Sequence, residues 1–482
     1  MSYEMQCKMF SFGGYNMNFK RKLWWAQHRN EVYKYGTILS LVLIVTISII
    51  YFTYSKFTST SEVTAYETTV EPFIKNDYFI ASYIDGEWSN EIPGKDDGYV
   101  VDKIVCDNGA TGTWDNEEWG INIRNATKKI KCSVFFKQAT IILGKVMEDE
   151  SQIATDDADN NIRYIGANPN NYVYFNCSDY SNQSDSTCEK WRIIGVFNNI
   201  TKADGTKEKL VKIIRNDTIG NFAWDYKQTG VGTSTNTCSN DWTDSQLMMM
   251  LNPTDYLKSG YTIDNNVVKD SKGQAIYKNM GSYYNGTSGC QPAAVASGAD
   301  FTCTSIDFTS TGLKNDLTRN AIESVVWNLG GTVNYDSAST GLASHFYGNE
   351  RGTTVYSGHA TTWTGKIGLM YPSDYGYATS GGSTIDRAAC LAKEMYNWKD
   401  SGVSDCKSND YLFKSGYIQW TLTPHSSGSD VAFIVDSKGY VSTRYYVRGA
   451  VAVRPAAFLK SNISITDVGI GTSESPYQLK VG

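Results

Sequence analysis

The sequence predicts a β-rich, loop-rich protein with a few short helices, carried behind one apolar N-terminal segment. Three observations lead there. The 482 residues are rich in Tyr, Gly, Ser, Thr and Asn and hold only 9 Pro; short alternating runs bounded by turn residues recur, while long helical periodicity is scarce. Residues 35–55 contain no charged side chain. Nine of the ten cysteines lie beyond position 100, most of them in close sequence pairs.

The apolar segment reads as a transmembrane signal anchor. At about 1.5 Å per residue, a helix over 35–55 reaches roughly 30 Å, the thickness of a bilayer core. Tyr33, Tyr35, Tyr51 and Tyr54 sit where interfacial aromatics belong, and Lys8, Lys20, Arg21, Lys22, Arg29 and Lys34 precede the run against only Glu4 and Glu31. That bias predicts a cytoplasmic basic segment at 1–34 and a plasma-membrane, single-pass protein with its C-terminal domain extracellular. A lipid bilayer is then one partner, contacted through 35–55. A short Ser/Thr spacer follows at 56–65.

Residues 57–482 carry 37 Lys and Arg against 48 Asp and Glu, a net charge near −11. This argues against nucleic acid, whose binding requires phosphate neutralisation. Local pairing of Cys106 with Cys132, Cys177 with Cys188, Cys290 with Cys303 and Cys390 with Cys406 would close short loops, each contributing about 3 kcal/mol in the chain-entropy account. Such bonds persist in an oxidising medium. Cys238 is left over. The cysteine spacings do not suit zinc, and no metal or other cofactor is expected.

Residues 66–138 read as a small β module. Tyr99 to Cys106 alternates as a strand, Asp107-Asn108-Gly109 is a turn, and Trp114 and Trp119 flank an acidic turn. A thin core of this size calls for a staple, and the module reads as a spacer. A linker is expected at 139–159. Across its end, Asp157, Asp159 and Asn161 match the first ligand positions of a calcium loop. Ile162 stands where that loop needs Gly, and Asn168 where it needs Glu, so the stretch reads as a solvated linker. The large domain, 160–482, opens with strands over Trp191–Phe197 and Leu210–Arg215. A helix is expected after Trp242, with Thr243 as N-cap, and a second over Leu317–Leu329. Met248, Met249 and Met250 read as core filling.

Three stretches carry a resemblance: Arg163 to Val173 with Trp191 to Phe197, Trp363 to Ala378, and Trp420-Thr421-Leu422-Thr423-Pro424-His425 to Val453-Arg454-Pro455. Together they resemble a family of uncharacterised extracellular domains of Gram-positive-type bacteria, and the closing Trp…Gly…Val-Arg-Pro pattern resembles the C-type-lectin-like fold shared with formylglycine-generating enzymes. The resemblance implies an α+β class: a transmembrane helix, a small all-β module, then a C-type-lectin-like mixed domain with long loops whose last strands display a ligand face. It carries no activity, because fold does not fix function. Gln291-Pro292-Ala293 and Trp327-Asn328-Leu329 lack the acidic ligands of calcium-dependent sugar sites, and no cysteine follows Cys406 to do redox work.

No His-Glu-x-x-His, Gly-x-Ser-x-Gly or phosphate-loop pattern occurs, so no catalytic residue is assigned. The loops beside the final strands offer the ligand-binding candidates: His425, Ser426, Ser427 and Asp430, then Arg444, Tyr445, Tyr446 and Arg448. Tyr and Arg combine contact area with directed hydrogen bonds. Trp191, Trp420, Arg454 and Pro455 read as architectural. The expected function is ligand binding or adhesion toward a surface glycan or protein. The alternatives are a structural envelope module and an exported hydrolase with an unrecognised site.

Overall fold

The computed structural model describes residues 78–481 apart from short internal stretches, of which 226–237 and 293–302 are the longest, together with Asn30 and Lys34 of the N-terminal portion. The segment 35–55, the spacer 56–65 and almost all of 1–34 lie outside the described residues. Among the described residues no helix is long and apolar enough to cross a membrane. The expectation of a single-pass membrane protein with an extracellular C-terminal domain is therefore corrected: nothing described supports it.

The fold class is corrected as well. The fold is mostly β, with 36% strand against 17% helix, rather than α+β, and no helix among the described residues could span a membrane. The longest α-helix described, Ala343–Glu350, has eight residues. The physical reason is visible at Leu317–Leu329. A helix forms only over Asp316–Ala321, capped by Asn315. Beyond it the β-branched Val325 and Val326 belong to the strand Val325–Asn328, which pairs antiparallel with Thr362–Gly365. After Trp242 the chain makes a 3₁₀ turn capped by Asp241, and Ser245 rather than Thr243 caps the helix Gln246–Leu251. Its Met248, Met249 and Met250 are buried, as the sequence suggests.

Near the start of the described chain, a four-stranded sheet is built around Tyr78–Ile84 and Ile130–Gln138, which run parallel, with Tyr99–Cys106 and Glu87–Ser89 at the edges. Its inner face carries Cys132, Val134 and Phe136, all buried. The hairpin of Thr111–Asp115 with Gly120–Arg124 brings Trp114 against Trp119 and Phe136, at 5.3 and 5.4 Å. The outer face leaves Phe79 and Trp88 more than half exposed, with Lys103 over the Phe135 ring. Residues 139–159 hold the helix Ile142–Glu148 and two short strands; Thr140–Ile141 pairs with Ser464–Ile465 close to the C-terminus.

The main sheet centres on Glu189–Thr201 and Lys207–Arg215, paired antiparallel over most of their length. Ala456–Leu459 joins one side and Ile162–Tyr164 the other. A five-stranded sheet holds Gln419–Pro424, Ala432–Val435 and Val451–Ala452. Trp191, Trp224, Trp242, Trp327, Trp398 and Trp420 fill the interior and are essentially inaccessible. Disulfides join Cys106 to Cys132, Cys177 to Cys188 and Cys390 to Cys406. Cys290 is also disulfide-bonded, and Cys238 is free. Of the seven described non-glycine residues with positive φ, six are Asn, whose side chain tolerates that backbone; the seventh is Trp119.

A row of buried charge crosses the main sheet. Arg163 and Lys212 both lie opposite Gly195, so the two cations share one face. Gly195 is required there: a Cβ would lie 2.0 Å from the Ile162 carbonyl oxygen. Asp374, in the helix Pro372–Tyr377, sits over the gap, accepting from Arg163 Nη1 at 2.9 Å and from Lys212 Nζ at 2.5 Å. Asp157 takes the Arg163 Nε at 2.7 Å. All four side chains are buried. The stretch around Asp157 and Asn161 is thus not a solvated linker; Asn161 is 1% exposed and donates to Asp157 and to the Tyr347 hydroxyl. Burial alone pulls the Arg163 guanidinium down, and Asp374 and Asp157 more than reverse it. Burial pushes the neighbouring Asp374 carboxyl up, and Lys212 and Arg163 overcome it and hold it below the usual range.

Glu350 lies beside this row, fully buried, accepting from the Ser373 amide and hydroxyl. Burial pushes its carboxyl up to about 7, against the pull of Arg351 and the Ser373 bonds and with a further push from Asp374. In the folded state it holds a proton that the unfolded chain has released, so this stabilisation is complete below the ordinary carboxylate pKa and is lost as pH rises through about 7. The expected outcome is that the wild-type melting temperature falls between about pH 5 and about pH 8 more steeply than that of Glu350→Gln. Parallel pH profiles from calorimetry would refute the assignment.

Candidate functional site

Strand Gln419–Pro424 runs into a loop at 425–431 and returns as Ala432–Val435. The His425 amide donates to the Val431 carbonyl and closes the loop at its base. Inside it, Gly428 N–H donates to His425 Nδ1 at 3.1 Å. Nδ1 is therefore the acceptor, and the ring is neutral with its proton on Nε2. Burial pushes the His425 pKa below its ordinary value, against an opposing pull from the Val333 backbone.

The loop is held from behind by Asn240. Its side-chain nitrogen lies 2.9 Å from the His425 carbonyl oxygen and 2.7 Å from those of Gly428 and Val431. Two N–H groups are thus shared among three acceptors, and the Asn240 backbone N–H adds a bond to Ser429. Asn240 is itself held by its neighbourhood. The Asp225 carboxylate, fully buried, accepts from the Ser239 and Gln246 amides and from the Tyr277 hydroxyl.

A second loop, 443–449, lies alongside. Val447 N–H donates to the Asp430 carbonyl, and Val431 bridges to Tyr446. Side chains alternate: Tyr445 packs against the core, while Tyr446 is 51% exposed. The Arg448 guanidinium stands 4.3 Å from the Tyr446 ring centroid and 3.7 Å from the Asp430 carboxylate. Ser426 N–H donates to Thr332, which brings the exposed Val333 to the rim. Ser239 Oγ lies 3.4 Å from His359 Nε2, and that ring contacts the exposed Tyr356. The Cys238 thiol is pushed up to about 11 by burial and then by Asp225, so it is protonated and not a nucleophile near neutral pH.

His425, Ser426, Ser427, Asp430, Tyr446 and Arg448 are thus brought together on one face. Tyr445 supports the face from the core side, and Arg444 lies outside the described residues. Asn240 and Asp225, which build the face, carry no local sequence signal. The arrangement does not assemble a Ser–His–Asp relay. Ser427 Oγ is 3.4 Å from His425 Nδ1, but Nδ1 is already engaged by Gly428, and Asp430 is paired with Arg448 rather than with the imidazole. Among the described residues no group of three or more His, Cys, Asp or Glu is placed to hold a metal ion.

Comparison with protein-family models, curated proteins and solved structures found no match. The site must be read from its own chemistry.

Asn240 is the testable support. Asn240→Ala removes the donors behind three carbonyls, and the cost is expected to be about 1–3 kcal/mol of stability, concentrated in loop 425–431. Hydrogen exchange should show faster exchange at Gly428 and Val447 than across Glu189–Thr201; uniform acceleration over both regions counts against the clasp.

Proposed function

We propose that this chain is a recognition protein that binds a macromolecular ligand, in the first instance a protein surface, through loops 425–431 and 443–449. The observation that carries the reading is the pair Tyr446 and Arg448. A half-exposed ring is stacked by a guanidinium on a loop that Val447 N–H ties to the clasped loop 425–431. Tyr and Arg are the residue types that dominate binding hot spots. Fixed loops hold them ready, which limits the entropy lost on binding. The exposed Val333 and Tyr356 extend an apolar rim around a centre with charges of both signs, Asp430 and Arg448. Such a mixed surface suits a broad partner rather than an enclosed metabolite. The neutral, internally engaged His425 and the protonated Cys238 weigh against covalent catalysis at this face.

The experiment is binding of the full chain to protein and glycan arrays, followed by titration of whatever binds. Tyr446→Ala and Arg448→Ala should each weaken the interaction by about tenfold or more, as expected of a hot spot. Tyr445→Phe should leave it intact, since that ring faces inward. Glycan spots retained without any protein spot would shift the ligand class. Undiminished binding by the Tyr446→Ala, Arg448→Ala double variant would sink this face.

A further inference from the structure

At the opposite end of strand Gln419–Pro424 lies a second feature, roughly 20 Å away for six residues of about 3.3 Å each. It is a cleft of about 170 Å³ between the 216–218 turn, the 414–417 turn and the strand ends at Gln419 and Ala452. Arg454 and Lys414 both line it, and their surroundings leave them short of negative charge.

Arg454 is 3% exposed. Its Nε donates to the Arg215 carbonyl, and its Nη1 to the Leu412 carbonyl and to Gln419 Oε1. Its Nη2 has no partner among the described residues. Among the described residues Lys414 Nζ has one hydrogen-bond partner, the Asn216 side-chain oxygen, at 3.1 Å. A third cation stands close behind. Arg192 is held between the rings of Tyr172 and Tyr411, at 3.7 and 4.8 Å, and its hydrogen bonds go to Asn171 and Pro169. Every one of these partners is neutral. Of the nearby carboxyls, Asp217 is exposed at the rim. Asp410 is buried, its Oδ1 accepts from the Leu412 amide, its Oδ2 has no partner among the described residues, and burial pushes its carboxyl well above the usual range. Burial, then Arg454, pulls Lys414 down to about 8.

Desolvated cations with only neutral partners are electrostatically unmet, and a bound anion is what satisfies them. The geometry points to a binding site for a small organic monocarboxylate, its carboxylate facing Lys414 and Arg454 and its body resting on Tyr417. The volume equals that of about five or six waters, which admits a ligand of a few heavy atoms and excludes a polymer. Asp217 at the mouth repels a dianion more than a monoanion. Tyr417, 51% exposed, offers a ring face to the ligand body.

The test is titration of the full chain, by calorimetry and amide chemical shifts, with sodium benzoate, neutral benzamide and inorganic phosphate. Benzoate is expected to bind saturably and at least about tenfold more tightly than benzamide or phosphate, and to weaken as pH rises above about 8 and Lys414 loses its proton. Lys414→Met should weaken benzoate by about tenfold. Tyr417→Ala, at an exposed position, should weaken it roughly fivefold and serves if the lysine variant fails to fold. Arg448→Ala should change nothing here, which separates this site from the loop face. Equal binding of benzoate and benzamide, or benzoate binding untouched by both cleft variants, overturns the proposal; tighter phosphate than benzoate overturns the monocarboxylate class.

Discussion

The structure depends on one carboxylate. Asp374 stands over the main sheet where Gly195 leaves room, and it takes both Arg163 and Lys212 while accepting from the Tyr371 amide at the start of its own helix. Ionic groups this deeply buried add little net stability, because desolvation offsets much of the attraction. Their effect is on alternatives. A sheet slipped by one residue would turn Arg163 or Lys212 to the other face and strand a charge without its partner. The row therefore selects one register and one position for the helix Pro372–Tyr377.

The aromatic surroundings strengthen this constraint. Lys212 lies 4.4 Å from the Tyr371 ring, and Arg163 lies 4.6 Å from that of Phe197. Rings that supply a negative face also exclude water, which raises the local strength of every charge they enclose. From this centre the order passes outward along the strands. Lys207–Arg215 continues into the turn that walls the carboxylate cleft, and Ala456–Leu459 beside it follows Arg454. The two functional surfaces inferred lie at the two ends of strand Gln419–Pro424, neither at the charged row itself.

Much of the strand framework was legible. Alternation marked Tyr99–Cys106, the strands expected over Trp191–Phe197 and Leu210–Arg215 lie within Glu189–Thr201 and Lys207–Arg215, and close cysteine pairs marked three of the bonds found. The helices were less legible because they are brief and their ends are set by tertiary pairing. The β-branching of Val325-Val326 only leans toward strand; the pairing with Thr362–Gly365 decides it. The acidic stretch misled for a similar reason. Asp157 and Asn161 look solvated until Arg163 draws them inward, and Arg163 is fixed by Asp374, 211 positions away. At the loop face, residue type identified Tyr446 and Arg448, yet Asn240 lies 185 positions before the first carbonyl it holds. Long-range polar partners of this kind leave no periodic trace.

Arg454 shows how an architectural residue acquires a second use. Three of its hydrogen bonds pin the end of the main sheet to Leu412 and Gln419, and that part needs no ligand. A guanidinium has five N–H donors, however, and a single packing role seldom engages all of them. Where an unengaged donor belongs to a residue lining a cavity, and the lining acid, Asp217, stands exposed at the mouth, the residual field is directed at whatever enters. Lys414 stands across the same cavity on a turn that carries the half-exposed Tyr417. That turn is closed by the Tyr417 amide on the Lys414 carbonyl, whereas loop 425–431 is clasped by Asn240. The clasped face suits a partner whose shape is already matched, and the small cleft suits a small anion held chiefly by charge.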